Sequence, residues 1–229
     1  MGVIVGAGLL SHVPGIMLPE AERRQRYAGR DTSFPPALRE IYRERIQPAA
    51  FDTFIIFDTH WFTTRGFVVN TQEHLAGIYT SDELPGTIHD LTFDYRGDKM
   101  LGEGIVNEAK KNGLRCEGAD YQGMALHYPT LNLMHYLNPR QERRVLAIGV
   151  CQTAPHERNL ELGLAIGSAV EQSDRRVVIL AAGGLSHRFW SYDDMAAHSS
   201  PDPAHISSET NRAYDQKIID LQGSGGSIR

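Results

Sequence analysis

The chain has 229 residues, 41% hydrophobic and 22% charged, with a net charge of −5 at neutral pH. This ordinary composition describes one folded, soluble domain whose core needs no disulfides. The acidic balance, with no basic stripe, excludes nucleic-acid binding, and no apolar run approaches the ~20 residues that span a bilayer.

Val3–Leu10 is a near-continuous apolar run and reads as a strand buried on both faces. Gly-rich and without a basic leader, it does not read as a signal peptide. The polar, Arg-rich residues 20–32 read as a loop or lid. Pro35-Pro36 then opens a helix, with Leu38, Ile41, Tyr42 and Ile46 at helical spacing and Pro48 ending it. Residues 53–57 form a second strand and 66–70 a third, and residues 79–85 are a loop. Residues 99–112 form an amphipathic helix stopped by Gly113. A short helix over 130–137, a strand over 145–150, a helix over 160–172 and a strand over 177–182 follow. Ser207 or Ser208 caps a last helix that runs to Leu221, and residues 222–229 form a flexible Gly/Ser tail. Strands alternating with helices predict an α/β three-layer sandwich, with a largely parallel or mixed central sheet and helices on both faces. Cys116 and Cys151 form no CxxC pair, read as buried reduced thiols, and favour a cytoplasmic setting.

Three histidines each follow a strand-like run. His12 lies in Ser11-His12-Val13-Pro14, His60 in Asp58-Thr59-His60-Trp61, and His187 in Gly183-Gly184-Leu185-Ser186-His187. Ligands of open α/β sheets bind beyond the carboxyl ends of the strands. If the three strands are parallel neighbours, these imidazoles meet in one cleft, for metal binding or proton transfer. Two histidines and a carboxylate with open positions are the facial ligand set of non-haem Fe(II) oxygenases. His12 and His60 are the candidate ligands, and Asp58 is placed to orient one of them. His187, after two glycines that permit a tight turn, is the candidate general acid or base, with His127 beside it as a further candidate. His74, His89, His135, His156, His198 and His205 read as ordinary surface or core residues. Nothing matches GxGxxG, a P-loop, GxSxG or HExxH.

Four segments in order resemble the class III extradiol ring-cleaving dioxygenases, the superfamily of the protocatechuate 4,5-dioxygenase catalytic subunit. They are most similar to its 3,4-dihydroxyphenylacetate (homoprotocatechuate) 2,3-dioxygenase branch. The segments are Ser11-His12-Val13-Pro14, Phe57-Asp58-Thr59-His60-Trp61, Ile78-Tyr79-Thr80-Ser81-Asp82-Glu83-Leu84-Pro85 and Gly184-Leu185-Ser186-His187-Arg188-Phe189. The resemblance implies a catalytic domain over residues 1–221, ferrous iron held by His12 and His60, and O2 as co-substrate. It further implies a catechol opened beside its diol to a hydroxymuconic semialdehyde, in aromatic catabolism. By the same resemblance, His187 is expected to handle the protons, His127 to be the second cleft histidine, and the chain to self-associate as a homo-oligomer. Arg188 and Arg65 are available to pair with a substrate carboxylate.

In that family the third ligand is a glutamate beyond the helix that here ends near Leu221, and no residue of the 229 matches it. The resemblance therefore implies either a chain lacking its C-terminal segment or a member whose third ligand is replaced, with Asp82, Glu83 and Glu209 as replacements. Two other classes stay open. One is a non-catalytic binding protein on the same fold. The other is a zinc-dependent hydrolase that uses the same histidines with a metal-bound water.

Overall fold

The computed structural model describes residues 1–26, 29, 31–121, 123–124, 126–186, 190–194 and 208–223. In chain order the elements are β1 (Val3–Leu10), α1 (Glu20–Arg26), α2 (Phe34–Ile41), β2 (Thr53–Thr63), β3 (Phe67–Asn70), β4 (His74–Tyr79) and β5 (Leu91–Arg96). There follow α3 (Lys99–Lys111), β6 (Cys116–Ala119), α4 (Tyr128–Leu137), β7 (Arg144–Cys151), α5 (His156–Gln172), β8 (Arg176–Ala182) and α6 (Glu209–Gly223).

Six strands form one sheet in the order β1-β8-β2-β7-β3-β6, while β4 and β5 pair as a separate antiparallel hairpin. All neighbours in the large sheet are parallel except β3 and β7. The expected mixed α/β sandwich is therefore the observed architecture. Its two cores follow from the strand period of two, which sends successive side chains to opposite faces. Phe54, Ile56, Val145, Ala147, Val178 and Leu180 face α2 and α4, where Leu38, Leu131 and Met134 meet them. Ile55, Leu146, Ile148 and Val177 face α3 and α5, against Ile105, Ala109, Leu162 and Ile166. Phe54, Ile55 and Ile56 are wholly buried, and each contributes about 1.5–3 kcal/mol by leaving water.

The helix ends follow local chemistry. Asp98 caps α3 by accepting from Leu101 N, and Gly113, at φ +76°, supplies the left-handed residue that ends it. Ser208 Oγ accepts from Asn211 N at 3.2 Å and starts α6, as the sequence suggested. That helix continues to Gly223, two residues past the expected end, and residues 224–229 lie outside the described residues.

Several expectations need correction. β1 is an edge strand, not one buried on both faces: Val3, Ile4, Val5 and Leu9 are 39–43% exposed. An apolar run reports which residues avoid water and is blind to the position of the strand in the sheet. Within residues 20–32, a helix replaces the expected loop over Glu20–Arg26. It is anchored by Arg23, which is buried and gives its fork to both oxygens of Asp31 at 2.7 and 2.9 Å and a third bond to Leu18 O. β2 runs six residues beyond the expected strand, and α4 begins two residues earlier. The β4–β5 hairpin and β6 were not anticipated at all. Cys116 and Cys151 are both free and buried.

Candidate metal centre

The carboxyl ends of β1, β8 and β2 lie side by side. Leu10 and Asp58 both align with Ala182 across the ladders. The segments after β1 and β8, and the end of β2, therefore leave the sheet at one edge, and the site is built there.

His60 reaches it through an interruption of β2. Between Asp58, paired with Gly149, and Phe62, paired with Val150, the ladder skips Thr59, His60 and Trp61. A bulge of this kind re-aims side chains at a sheet end. Asp58, 1% exposed, holds it closed. Its Oδ1 accepts from the backbone N–H of His60 at 2.9 Å and of Trp61 at 3.1 Å. Its Oδ2 accepts from Thr130 N at 3.1 Å and Thr130 Oγ1 at 2.6 Å. Thr59 Oγ1 donates to Ala182 O at 2.9 Å and ties the bulge to β8. Gly149 leaves the room that the bulge needs, since a Cβ there would sit 2.7 Å from Trp61 O and 3.1 Å from its ring.

His12 arrives from the turn after β1, and its ring centroid lies 5.2 Å from that of His60, edge to face at 83°. The sequence brought these two together correctly. Asp58 does orient His60, although through the main chain and not by touching the imidazole.

The first turns of α4 are the unpredicted part of the site. Tyr128 and Thr130 grip the bulged segment of β2, and Asn132 grips the segment after β1. Tyr128 Oη lies 2.7 Å from His60 Nε2, with its ring centroid 4.3 Å from that of His60 and 5.6 Å from that of His12. Burial pushes the Tyr128 phenol well above its ordinary pKa, and the charge of Glu83 adds to the shift. Thr130 holds Asp58. Asn132, fully buried, donates from Nδ2 to His12 O at 3.0 Å, and its Oδ1 is buried with no hydrogen-bond partner among the described residues. His127 is the N-cap residue of α4, and its ring stacks over Trp61 at 6.5 Å and 26°. A sequence signal did exist, because Pro129 one residue past His127–Tyr128 marks a helix start.

The loop between β4 and β5 closes over the other side. Ser81, buried, accepts from Leu84 N at 3.0 Å and shapes the turn. Glu83 Oε2 then stands 3.7 Å from His60 Nδ1. Burial raises the Tyr79 phenol, which sits near Ser81 and the Tyr128 backbone. Of the three substitute carboxylates, Glu83 is thus beside His60, Asp82 is exposed on the same loop, and Glu209 opens α6. Among the described residues no third His, Cys, Asp or Glu joins the two histidines in a metal-sized cluster. His187 and Arg188 lie outside the described residues. The turn that leads to them is fixed by α6: Ser186 N and Oγ both donate to Asp215 Oδ1, at 3.1 and 2.7 Å. Arg65 is exposed. No described helix is long and apolar enough to cross a membrane.

A family model described as the catalytic LigB subunit of aromatic ring-opening dioxygenase matches residues 6–225. The 3,4-dihydroxyphenylacetate 2,3-dioxygenase of Escherichia coli is 33% identical over 226 residues, which span 98% of this chain and 79% of that one. The beta subunit of a Pseudomonas sp 2-aminophenol 1,6-dioxygenase is 25% identical over 243 residues, spanning 98% of this chain and 75% of that protein. The alpha subunit of that enzyme is 21% identical over 155 residues, 67% of this chain and 56% of its own.

Proposed function

This chain belongs to the family of LigB-type catalytic subunits of aromatic ring-opening dioxygenases, and from that premise we propose that it opens a catechol-type ring beside its diol, using ferrous iron and O2. One observation carries the reading: two imidazoles, 5.2 Å apart, at the carboxyl ends of strands that flank a common neighbour. The donor set fits the metal, because neutral imidazole suits ferrous iron and two such donors leave positions open for other ligands. His12 and His60 are the residues that hold it. Ferrous iron held there would supply the redox centre through which electron density passes from the diol to O2.

The remaining work falls to the protein. The Asp58–Thr130 pair keeps the His60 segment in its bulged form. Asn132 keeps the His12 segment against α4. His187 moves the protons of the diol and the opening ring, with His127 as the second proton-handling group. Both atoms of O2 enter the product as the carbon–carbon bond next to the diol breaks. The substrate class is a catechol with a short acidic side chain, as the name of the E. coli relative suggests. Two relatives are named as subunits, and self-association belongs to the same proposal.

The test is anaerobic loading with Fe(II), followed by oxygen uptake and the yellow ring-fission chromophore on adding 3,4-dihydroxyphenylacetate or 2-aminophenol. Uptake with 3,4-dihydroxyphenylacetate, and loss of iron and uptake together in His12→Ala and His60→Ala, is the expected result; uptake with 2-aminophenol alone would refute the diol. A chain that binds iron through these histidines yet consumes no oxygen with either substrate would overturn the proposal.

A further inference from the structure

Tyr128 and Glu83 occupy the two sides of one imidazole. The phenol oxygen is 2.7 Å from Nε2 of His60, and the carboxylate is 3.7 Å from Nδ1. In the tautomer that turns Nδ1–H towards Glu83, Nε2 carries no proton, and its one lone pair either accepts the hydrogen bond of the Tyr128 hydroxyl or binds a metal. A metal on Nε2 would sit about 2 Å out along the direction that the hydroxyl uses, so the two positions overlap and cannot be filled together. We propose that Tyr128 gates the metal position: its hydroxyl caps His60 Nε2 in the metal-free protein, gives up that nitrogen on metal binding, and stays beside the site as a donor to the substrate oxygen. This rests on the reading of His60 as a metal ligand.

The surroundings limit how far the hydroxyl can go. Tyr128 is the first residue of α4, and that turn is bonded to Asp58 through Thr130 and to His12 O through Asn132. The backbone is therefore pinned from both histidine segments. The side chain is 4% exposed and packs on both imidazoles. The displaced hydroxyl swings without leaving, and remains within reach of oxygen ligands on the metal. Nδ1 of His60 then carries the proton and faces Glu83, an arrangement that fixes the ring when the opposite nitrogen binds a metal.

The experiment compares wild type with Tyr128→Phe, an isosteric change that deletes only the hydroxyl, by anaerobic titration with Co(II) chloride. The variant is expected to bind Co(II) about three- to tenfold more tightly, the worth of one hydrogen bond that no longer competes. Wild type should show a tyrosine ultraviolet difference band on binding, and the variant should not. Loaded with Fe(II), the variant should lose about tenfold in kcat/KM, since one donor to the substrate is gone. Opposite signs for metal and substrate are not what a purely structural tyrosine gives. Unchanged or weaker Co(II) binding by Tyr128→Phe, or no tyrosine band in wild type, overturns the gate. Neither result touches the ring-opening reading, which stands or falls on wild-type oxygen uptake.

Discussion

Asp58→Asn is the sharpest probe of how the site is held. The native carboxylate accepts four hydrogen bonds, two from the bulge through Oδ1 and two from Thr130 through Oδ2. An asparagine keeps one oxygen. With that oxygen on the bulge, the amide nitrogen faces Thr130. The threonine hydroxyl can reverse and accept, but the Thr130 backbone N–H is left pointing at another donor. A buried donor without a partner costs about 1–3 kcal/mol, and the remaining bonds lose their charge. The total is about 2–4 kcal/mol, within the 5–15 kcal/mol of a typical domain. The variant therefore folds, with Tm lower by about 4–16 °C at this chain length. Because the bulge aims His60, metal affinity should fall about 10–100-fold as well. Thermal melts of the metal-free protein and Co(II) titration read the two effects separately. Thr130→Val, which removes only the 2.6 Å hydroxyl bond, should fall between wild type and Asp58→Asn in both. An Asp58→Asn protein that melts with wild type and binds metal equally well would refute the account of the bulge.

His187→Ala should keep iron on the protein while kcat falls about 10²–10⁴-fold, the range of a lost general acid or base; release of iron would show that His187 is a ligand. The Arg23 guanidinium beside Asp31 holds that carboxyl at about 2, well below the ordinary aspartate value of 3.8. The pair therefore supports the fold above pH ~4 and ceases to do so as pH falls towards 2. Asp31→Asn should flatten the acid limb of a stability–pH curve in that window and change nothing near neutrality except a constant offset. Burial raises the Cys116 thiol to about 11, so iodoacetamide at pH 8 should leave it unmodified until denaturant is added; fast alkylation of the folded protein would mean that β6 opens locally.

How much of this could be read from the sequence depended on the range of the interactions. His12 and His60 were visible because each follows an apolar run, and strand ends are where open sheets carry chemistry. The mixed sandwich was visible for the same reason, since alternation is a local pattern. The edge position of β1 was not, because pairing partners are chosen by the whole sheet. Buried Arg23 was misread as part of a polar loop, since its charge is balanced eight residues on, by Asp31. β4 and β5 were missed because their exposed and buried positions mix Gly, Thr, Asp and His with few β-branched residues. Tyr128, Thr130 and Asn132 were missed because their partners lie 68, 72 and 120 residues away.

Those separations govern when the site can exist during synthesis. Every grip of α4 on a histidine segment closes a loop of about seventy residues or more, and long loops close late because their entropy is lost before their contacts form. No nascent chain that ends before Asn132 can fix the His12 turn, and none that stops before β8 can seat the bulge on Ala182. The spacing of the two imidazoles is thus set only after α4 and β8 have been made. A fragment that stops before them carries both imidazoles without the hydrogen bonds that fix one segment against the other.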